Sequence, residues 1–241
     1  MGRPFAVFDI DGTIIRWQMI HATIDVLGRE GHVTPETYAK IKQARMNWKN
    51  RTQEEGFMAY QDALVAGLAT SVKGLPVAVF EQATKAMFDE YKDQVYVYTR
   101  TLIQDLKERG YLLFAVSGSQ SEAVELLANH YGFDDFVGTY YERENGKLTG
   151  NVRLAVGSKE KLVRRLMEKH GADLAGSVGV GDSEGDITML ELVERPVAFN
   201  PSKKLFRQAS ANAWRVVLER KNMIYELAPD SGGYRLERTN A

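Results

Sequence analysis

The sequence predicts an α/β fold, a parallel sheet core with helices on both faces and a helical domain inserted near its start. Three observations predict it. Short apolar runs with the look of buried strands alternate with stretches of helical period. The runs end in small or acidic residues, which is where ligands gather in open parallel sheets. The interval between the first two runs greatly exceeds the dozen or so residues of a single crossover and reads as helices throughout.

In chain order, Phe5–Phe8 reads as the first buried strand and leads into Asp9-Ile-Asp-Gly-Thr13. The helical insertion follows over residues 17–93. Thr34-Pro35 supplies an N-cap with Pro at N1, and Phe57–Leu68 and Pro76–Tyr91 continue as amphipathic stretches. Tyr111–Val116 is the second strand, ending in Ser117-Gly-Ser119. Ser121–Tyr131 is a helix with Ser121 as its expected N-cap. Asn145-Gly146 marks a hairpin within Asp134–Val156. Ser158 is expected to cap a helix to His170 that Gly171 closes. Ser177–Val180 precedes Gly181-Asp-Ser-Glu-Gly-Asp186, Pro196–Phe199 and Trp214–Leu218 are further strands, and the polar tail after Asp230 is expected to be loosely held. Residues 1–16 and 94–241 thus form the core domain, and 17–93 the inserted one.

Composition narrows the function. The chain has 241 residues, 44% hydrophobic and 26% charged, with 32 acidic against 31 basic side chains and a net charge of -1. That balance argues against a nucleic-acid binder, which carries a basic excess. With no Cys there is no disulfide framework, zinc–thiolate site or thiol nucleophile. This suits a reducing cytoplasm. The apolar runs are far shorter than a membrane span, and no signal peptide precedes the first strand.

If the strands align, Asp9, Asp11, Asp182 and Asp186 converge on one crevice. Two carboxylates ~4 Å apart repel by about 4 kcal/mol at an effective dielectric of about 20. Either some take up protons or a cation sits among them. Oxygen donors without His or Cys favour a hard ion, Mg²⁺ first.

These residues carry a family resemblance. Asp9-Ile-Asp11-Gly12-Thr13 resembles the first motif of the haloacid dehalogenase-like superfamily in its phosphatase form. Ser117 resembles the second motif, Lys159 the third and Gly181-Asp182-Ser-Glu-Gly-Asp186 the fourth, in the family's order. The insertion is similar to the type 1 helical cap of the phosphoserine phosphatase-like branch, on a Rossmann-like core. The resemblance implies a Mg²⁺-dependent phosphatase acting on a small phosphate monoester through an aspartyl-phosphate. Asp9 would be the nucleophile and Asp11 the general acid and base. Lys159 would supply fixed positive charge. Gly12 and Thr13 would shape the turn at the phosphoryl group, and Ser117 with Gly118 would hold its oxygens. Mg²⁺ would be held by Asp9, the Asp11 carbonyl and Asp182, with Asp186 behind them. A phosphotransferase or mutase using the same intermediate, and a non-catalytic phospho-ligand binder, are the alternatives.

The insertion bears on substrate. Phosphoserine phosphatases have an acid where this chain has Gln18, and an Arg where Phe57–Leu68 places apolar residues. The expectation is a small phosphorylated substrate other than phosphoserine, with Trp17, Gln18 and His21 as first candidate contacts. Arg45, Trp48, Lys49 and Tyr60 are further candidates. Aromatics at helical spacing are more often core, and Lys or Arg more often solvated. No heptad repeat speaks for an oligomer.

Overall fold

The computed structural model describes residues 2–51, 56–154 and 158–240. Its centre is a nine-stranded sheet in the order β4-β3-β2-β1-β5-β6-β7-β8-β9. Strand β1 (Arg3–Phe8) pairs in parallel with β2 (Leu112–Gln120) on one side and β5 (Ala172–Gly181) on the other. Strands β3 (Asp135–Glu144), β6 (Arg195–Phe199) and β7 (Arg215–Arg220) extend the parallel set. The antiparallel edges are β4 (Lys147–Arg153), β8 (Met223–Asp230) and β9 (Gly233–Asn240). The chain winds outward in opposite directions from β1, so a switch point opens at the carboxyl ends of β1, β2 and β5.

Strand alternation divides β1 between two cores. Ala6 and Phe8 pack with the helices α1 (Met19–Arg29), α4 (Val77–Tyr91), α5 (Val97–Glu108) and α6 (Ser121–Tyr131). Phe5 and Val7 pack on the other face with α7 (Lys159–His170), α8 (Ile187–Leu190) and α9 (Lys203–Ala211). Helices α2 (Pro35–Lys49) and α3 (Gly56–Val72) pair beside α1. No helix of the described residues is long and apolar enough to cross a membrane.

Helices α1 to α4 lie between two linkers that hold each other. Arg16 N–H donates to Gln94 O at 2.9 Å and Tyr96 N–H to Ile14 O at 2.9 Å. Glu219 on β7 clamps both. Its carboxylate accepts from Arg16 and from the N–H groups of Val97 and Tyr98 at 3.1 and 2.9 Å, at the start of α5. The β3–β4 hairpin, turned at Asn145-Gly146, bonds the α3–α4 turn through Gly74 N–H to Leu148 O at 2.7 Å and Leu148 N–H to Leu75 O at 2.9 Å.

Three local expectations need correction. Ser121 is the first helical residue rather than the cap, and its hydroxyl donates to Thr139 O at 3.1 Å. Ser158 stands at the N-cap of α7, but its side chain makes no capping bond. The tail after Asp230 is not loose: β9 pairs along most of β8 across a Ser231-Gly232 turn. Backbone pairing to β8 holds this mostly polar edge strand, and Tyr234 anchors its start by donating its hydroxyl to Trp214 O at 2.9 Å, so polarity alone misleads there. Thr34 caps α2 as expected, accepting from Thr37 N–H at 3.2 Å.

Candidate active site

The first motif is a coil wound on one carbonyl. Ile10 O accepts the N–H groups of Thr13, Ile14 and Ile15 at 3.1, 2.8 and 3.0 Å, while Asp9 N–H stays in the sheet at 2.9 Å from Val180 O. Gly12 has φ +86°, and a Cβ there would overlap the Asp182 carboxylate. The turn therefore needs glycine twice over, for its dihedral and for the approach of β5. Thr13 is fully buried with no partner for its hydroxyl, and it lines no cavity at the strand ends.

Asp11 is held from three directions. Oδ2 accepts from Ser117 Oγ at 2.9 Å and Ser119 Oγ at 2.7 Å, and Oδ1 from Met19 N–H at 2.6 Å. Gln18, at the N-cap of α1, makes no side-chain capping bond, so Asp11 satisfies an open N–H of that helix instead. Ser117 is buried, its hydroxyl committed to Asp11, while Gly118 and Ser119 face the cavity. Sequence reasoning misses Ser119 as a site residue. A signal for it exists, since Ser117 and Ser119 share one face of a strand end.

Lys159, 5% exposed, ties the third motif to the first and fourth. Its Nζ donates to Asp9 Oδ1 at 2.6 Å, Asp186 Oδ1 at 2.7 Å and Val116 O at 2.9 Å. Asp186 Oδ2 accepts from the N–H groups of Asp182 and Ser183 at 3.0 and 2.9 Å and from Ser183 Oγ at 3.1 Å. Gly181 lets the loop fold back this far, because a Cβ there would meet Asp186 Cβ at 2.5 Å. Asp186 thus accepts four bonds, three of them on Oδ2. Among the described residues, nothing donates to the second Asp9 oxygen or to the Asp182 carboxylate.

The electrostatics follow from burial. Desolvation pushes the Asp9 carboxyl up to about 7, against the pull of Lys159 and with help from Asp186 and Asp11. Burial raises Asp11 against its three hydrogen bonds, and raises Asp182 well above the usual carboxylate range with Asp9 and Asp186 adding to it. Lys159 is held charged: burial opposes its ammonium, but Asp186 and Asp9 outweigh that. One ammonium cannot balance four carboxylates. Carboxylate oxygens of Asp9, Asp182 and Asp186 lie within 4.8 Å of one another. An oxygen-only set with an unpartnered carboxylate fits a hard divalent cation.

Two cavities flank Gln18. One, of about 470 Å³, contains Asp9, Asp11, Ser119 and Lys159 beneath α3. The other, of about 250 Å³, contains Gly12 and Asp182 with Trp17, Arg45, Trp48 and Tyr60. Lys49, exposed, lines it as well. Arg45 sits 5.0 Å over the Trp17 ring, and Trp48 stacks on Tyr60 at 5.2 Å. His21 lines neither cavity. It is buried, with Nδ1 2.8 Å from the Tyr60 hydroxyl and Nε2 3.4 Å from Asp25.

A model of the family described as haloacid dehalogenase-like hydrolase matches residues 6–191. A phosphoserine phosphatase of Archaeoglobus fulgidus is 29% identical over 202 residues, covering 83% of this chain and 53% of that protein. The chain therefore spans about half the length of that relative. A histidinol-phosphatase of Neisseria meningitidis serogroup C is 25% identical over 224 residues, covering 89% of this chain and 98% of that one. Among solved structures, a phospho-aspartyl intermediate analogue of phosphoserine phosphatase superposes with a TM-score of 0.65 at 21% identity. It covers 92% of this chain and 96% of the other.

Proposed function

The chain belongs to the haloacid dehalogenase-like hydrolase family, and from that premise we propose that it is a phosphatase of small phosphate monoesters working through an aspartyl-phosphate. The carrying observation is the division of labour on one turn. Asp9 stands against Lys159 with one oxygen free, and Asp11, two residues on, is held apart by two serines and a helix N–H. The helices over 17–93 are the cap domain in this reading, and residues 1–16 with 94–241 the core.

The free Asp9 oxygen attacks phosphorus as the ester P–O bond breaks, and Asp11 protonates the departing alkoxide. Burial suits Asp11 to that task, because a raised carboxyl carries its proton at higher pH. Asp11, now ionised, takes the proton of a water that attacks the acyl phosphate and frees Asp9. Lys159 stays charged throughout and holds Asp9 in position while offsetting phosphoryl charge. Gly118 and Ser119 border the place where phosphoryl oxygens rest. Mg²⁺ held by Asp9, Asp182 and the Asp11 carbonyl, with Asp186 behind, would offset repulsion between nucleophile and substrate.

Release of inorganic phosphate from p-nitrophenyl phosphate, with and without Mg²⁺, tests the reading. Activity should need the ion, and Asp9→Asn should abolish turnover while keeping the circular dichroism spectrum. Near-normal activity in that variant would rule out the covalent route.

A further inference from the structure

Of the two cavities flanking Gln18, only the larger contains both Asp9 and Asp11. In the phosphatase reading, on which the role of this cavity rests, the departing alcohol must lie on the Asp11 side, since Asp11 supplies its proton. The leaving group therefore occupies the cavity beneath α3. About 470 Å³ is ample for a small ligand.

The walls of that cavity are unusual for a polar alcohol. Ile20, Met58, Leu64, Val65, Ala69 and Leu154 line it with the amides of Gln18 and Gln61, while the hydroxyls of Ser119, Ser158, Ser183 and Thr188 line it from the β2 end and the helix starts of the core. Met58 and Leu154 are 39% and 50% exposed, so large apolar side chains stand open at the same cavity. Contiguous exposed apolar surface marks a binding site more often than chance. Lys159 is the one basic side chain among the described lining residues, and its three donor bonds go to Asp9, Asp186 and Val116. No cation is left there for a second anionic group. Asp62, exposed, and Glu184, half-buried, stand along the lining and repel one.

We infer that the preferred substrate is a phosphate monoester of an extended apolar alcohol, with its chain laid along the face of α3 that carries Met58, Val65 and Ala69. A carboxylate or second phosphate on the alcohol is selected against. The aromatic and cationic cavity around Trp17 and Arg45 takes no part in holding this chain.

The test is a series of methyl, butyl, hexyl and octyl phosphate, kept below their micelle concentrations, beside phosphoserine, phosphocholine and p-nitrophenyl phosphate. The protein is assayed as the full chain with Mg²⁺. Each methylene that enters the cavity should raise kcat/KM by up to about fourfold, and octyl phosphate should exceed phosphoserine by at least about tenfold. Val65→Asn should at least halve the slope of log kcat/KM against chain length. Met58→Ser, at an exposed position, gives the same readout where Val65→Asn folds poorly. Dodecyl phosphate offered as monomer and in phosphatidylcholine vesicles separates a soluble from a membrane-borne source, and turnover in either form supports the apolar class. Phosphate release with a flat chain-length profile overturns the inference and leaves the phosphatase reading standing, as does preference for phosphoserine or phosphocholine. No release from any ester, p-nitrophenyl phosphate included, overturns both.

Discussion

Removing the Lys159 ammonium should be among the most damaging single changes in the core. Its Nζ lies 2.6 Å from Asp9 Oδ1 and 2.7 Å from Asp186 Oδ1. At an effective dielectric of about 20, each contact is worth about 6 kcal/mol of Coulomb attraction. Desolvation of the ions offsets much of that, and truncating one partner of a buried pair costs about 3 to 5 kcal/mol net. Lys159→Met keeps most of the volume and strands two carboxylates, so its loss should fall in that range at pH 8 in metal-free buffer. Asp186→Asn removes one stranded charge, and the Asn oxygen can still accept from the Asp182 and Ser183 N–H groups that Asp186 now serves. The double variant should therefore lose less than the sum of the two single changes, by at least about 1 kcal/mol, as neighbours in one network do. Urea titrations of the four proteins give the cycle directly. A loss below about 1 kcal/mol for Lys159→Met, or additivity within about 0.5 kcal/mol, would refute the reasoning.

Two further changes probe the frame around the site. Glu219→Ala removes the acceptor shared by Arg16, Val97 and Tyr98 and should cost about 2 to 4 kcal/mol, with Glu219→Gln intermediate in the same urea assay. At Asp135, burial raises the carboxyl, but hydrogen bonds from Lys169 and His170 at 2.7 and 2.6 Å outweigh it and hold the group below its usual range. A depressed carboxyl adds stability that is present above its unfolded value near pH 4 and is lost as pH falls through the lower folded one. Wild type should therefore melt above Asp135→Asn at pH 6, the two converging below about pH 3. A gap that persists at low pH would mean that packing, not charge, is responsible.

What the sequence makes legible is local. The strand ends carrying Asp9, Asp11, Asp182 and Asp186 can be found because buried strands announce themselves by short apolar runs, and their flanking turns by Gly and Asp. Lys159 belongs at a helix start, as the sequence suggests, but the Ser158 cap that suggests it does not form. Its position is fixed instead by two carboxylates distant in sequence. A capping preference worth about 1 kcal/mol yields readily to a buried ion pair of several.

The illegible parts share one physical origin. Glu219 reads as an ordinary charge on a late strand, since nothing within a window around it hints at Arg16 or at the N-terminus of α5. Ser119 reads as a turn residue until Asp11 is seen beside it. Strand β9 is mostly polar in sequence and is held by the register of its backbone bonds to β8 and by Tyr234, which packs against Phe206. In each case the partner is supplied by topology, and the residue's own chemistry leaves several partners equally acceptable. Asp9 and Asp11 escape that ambiguity because they follow directly on a buried strand, where two neighbouring carboxylates repel far more strongly than in water. Unfavourable local electrostatics is therefore the feature of this site that a sequence reveals soonest, and the side chains that relieve it are revealed last.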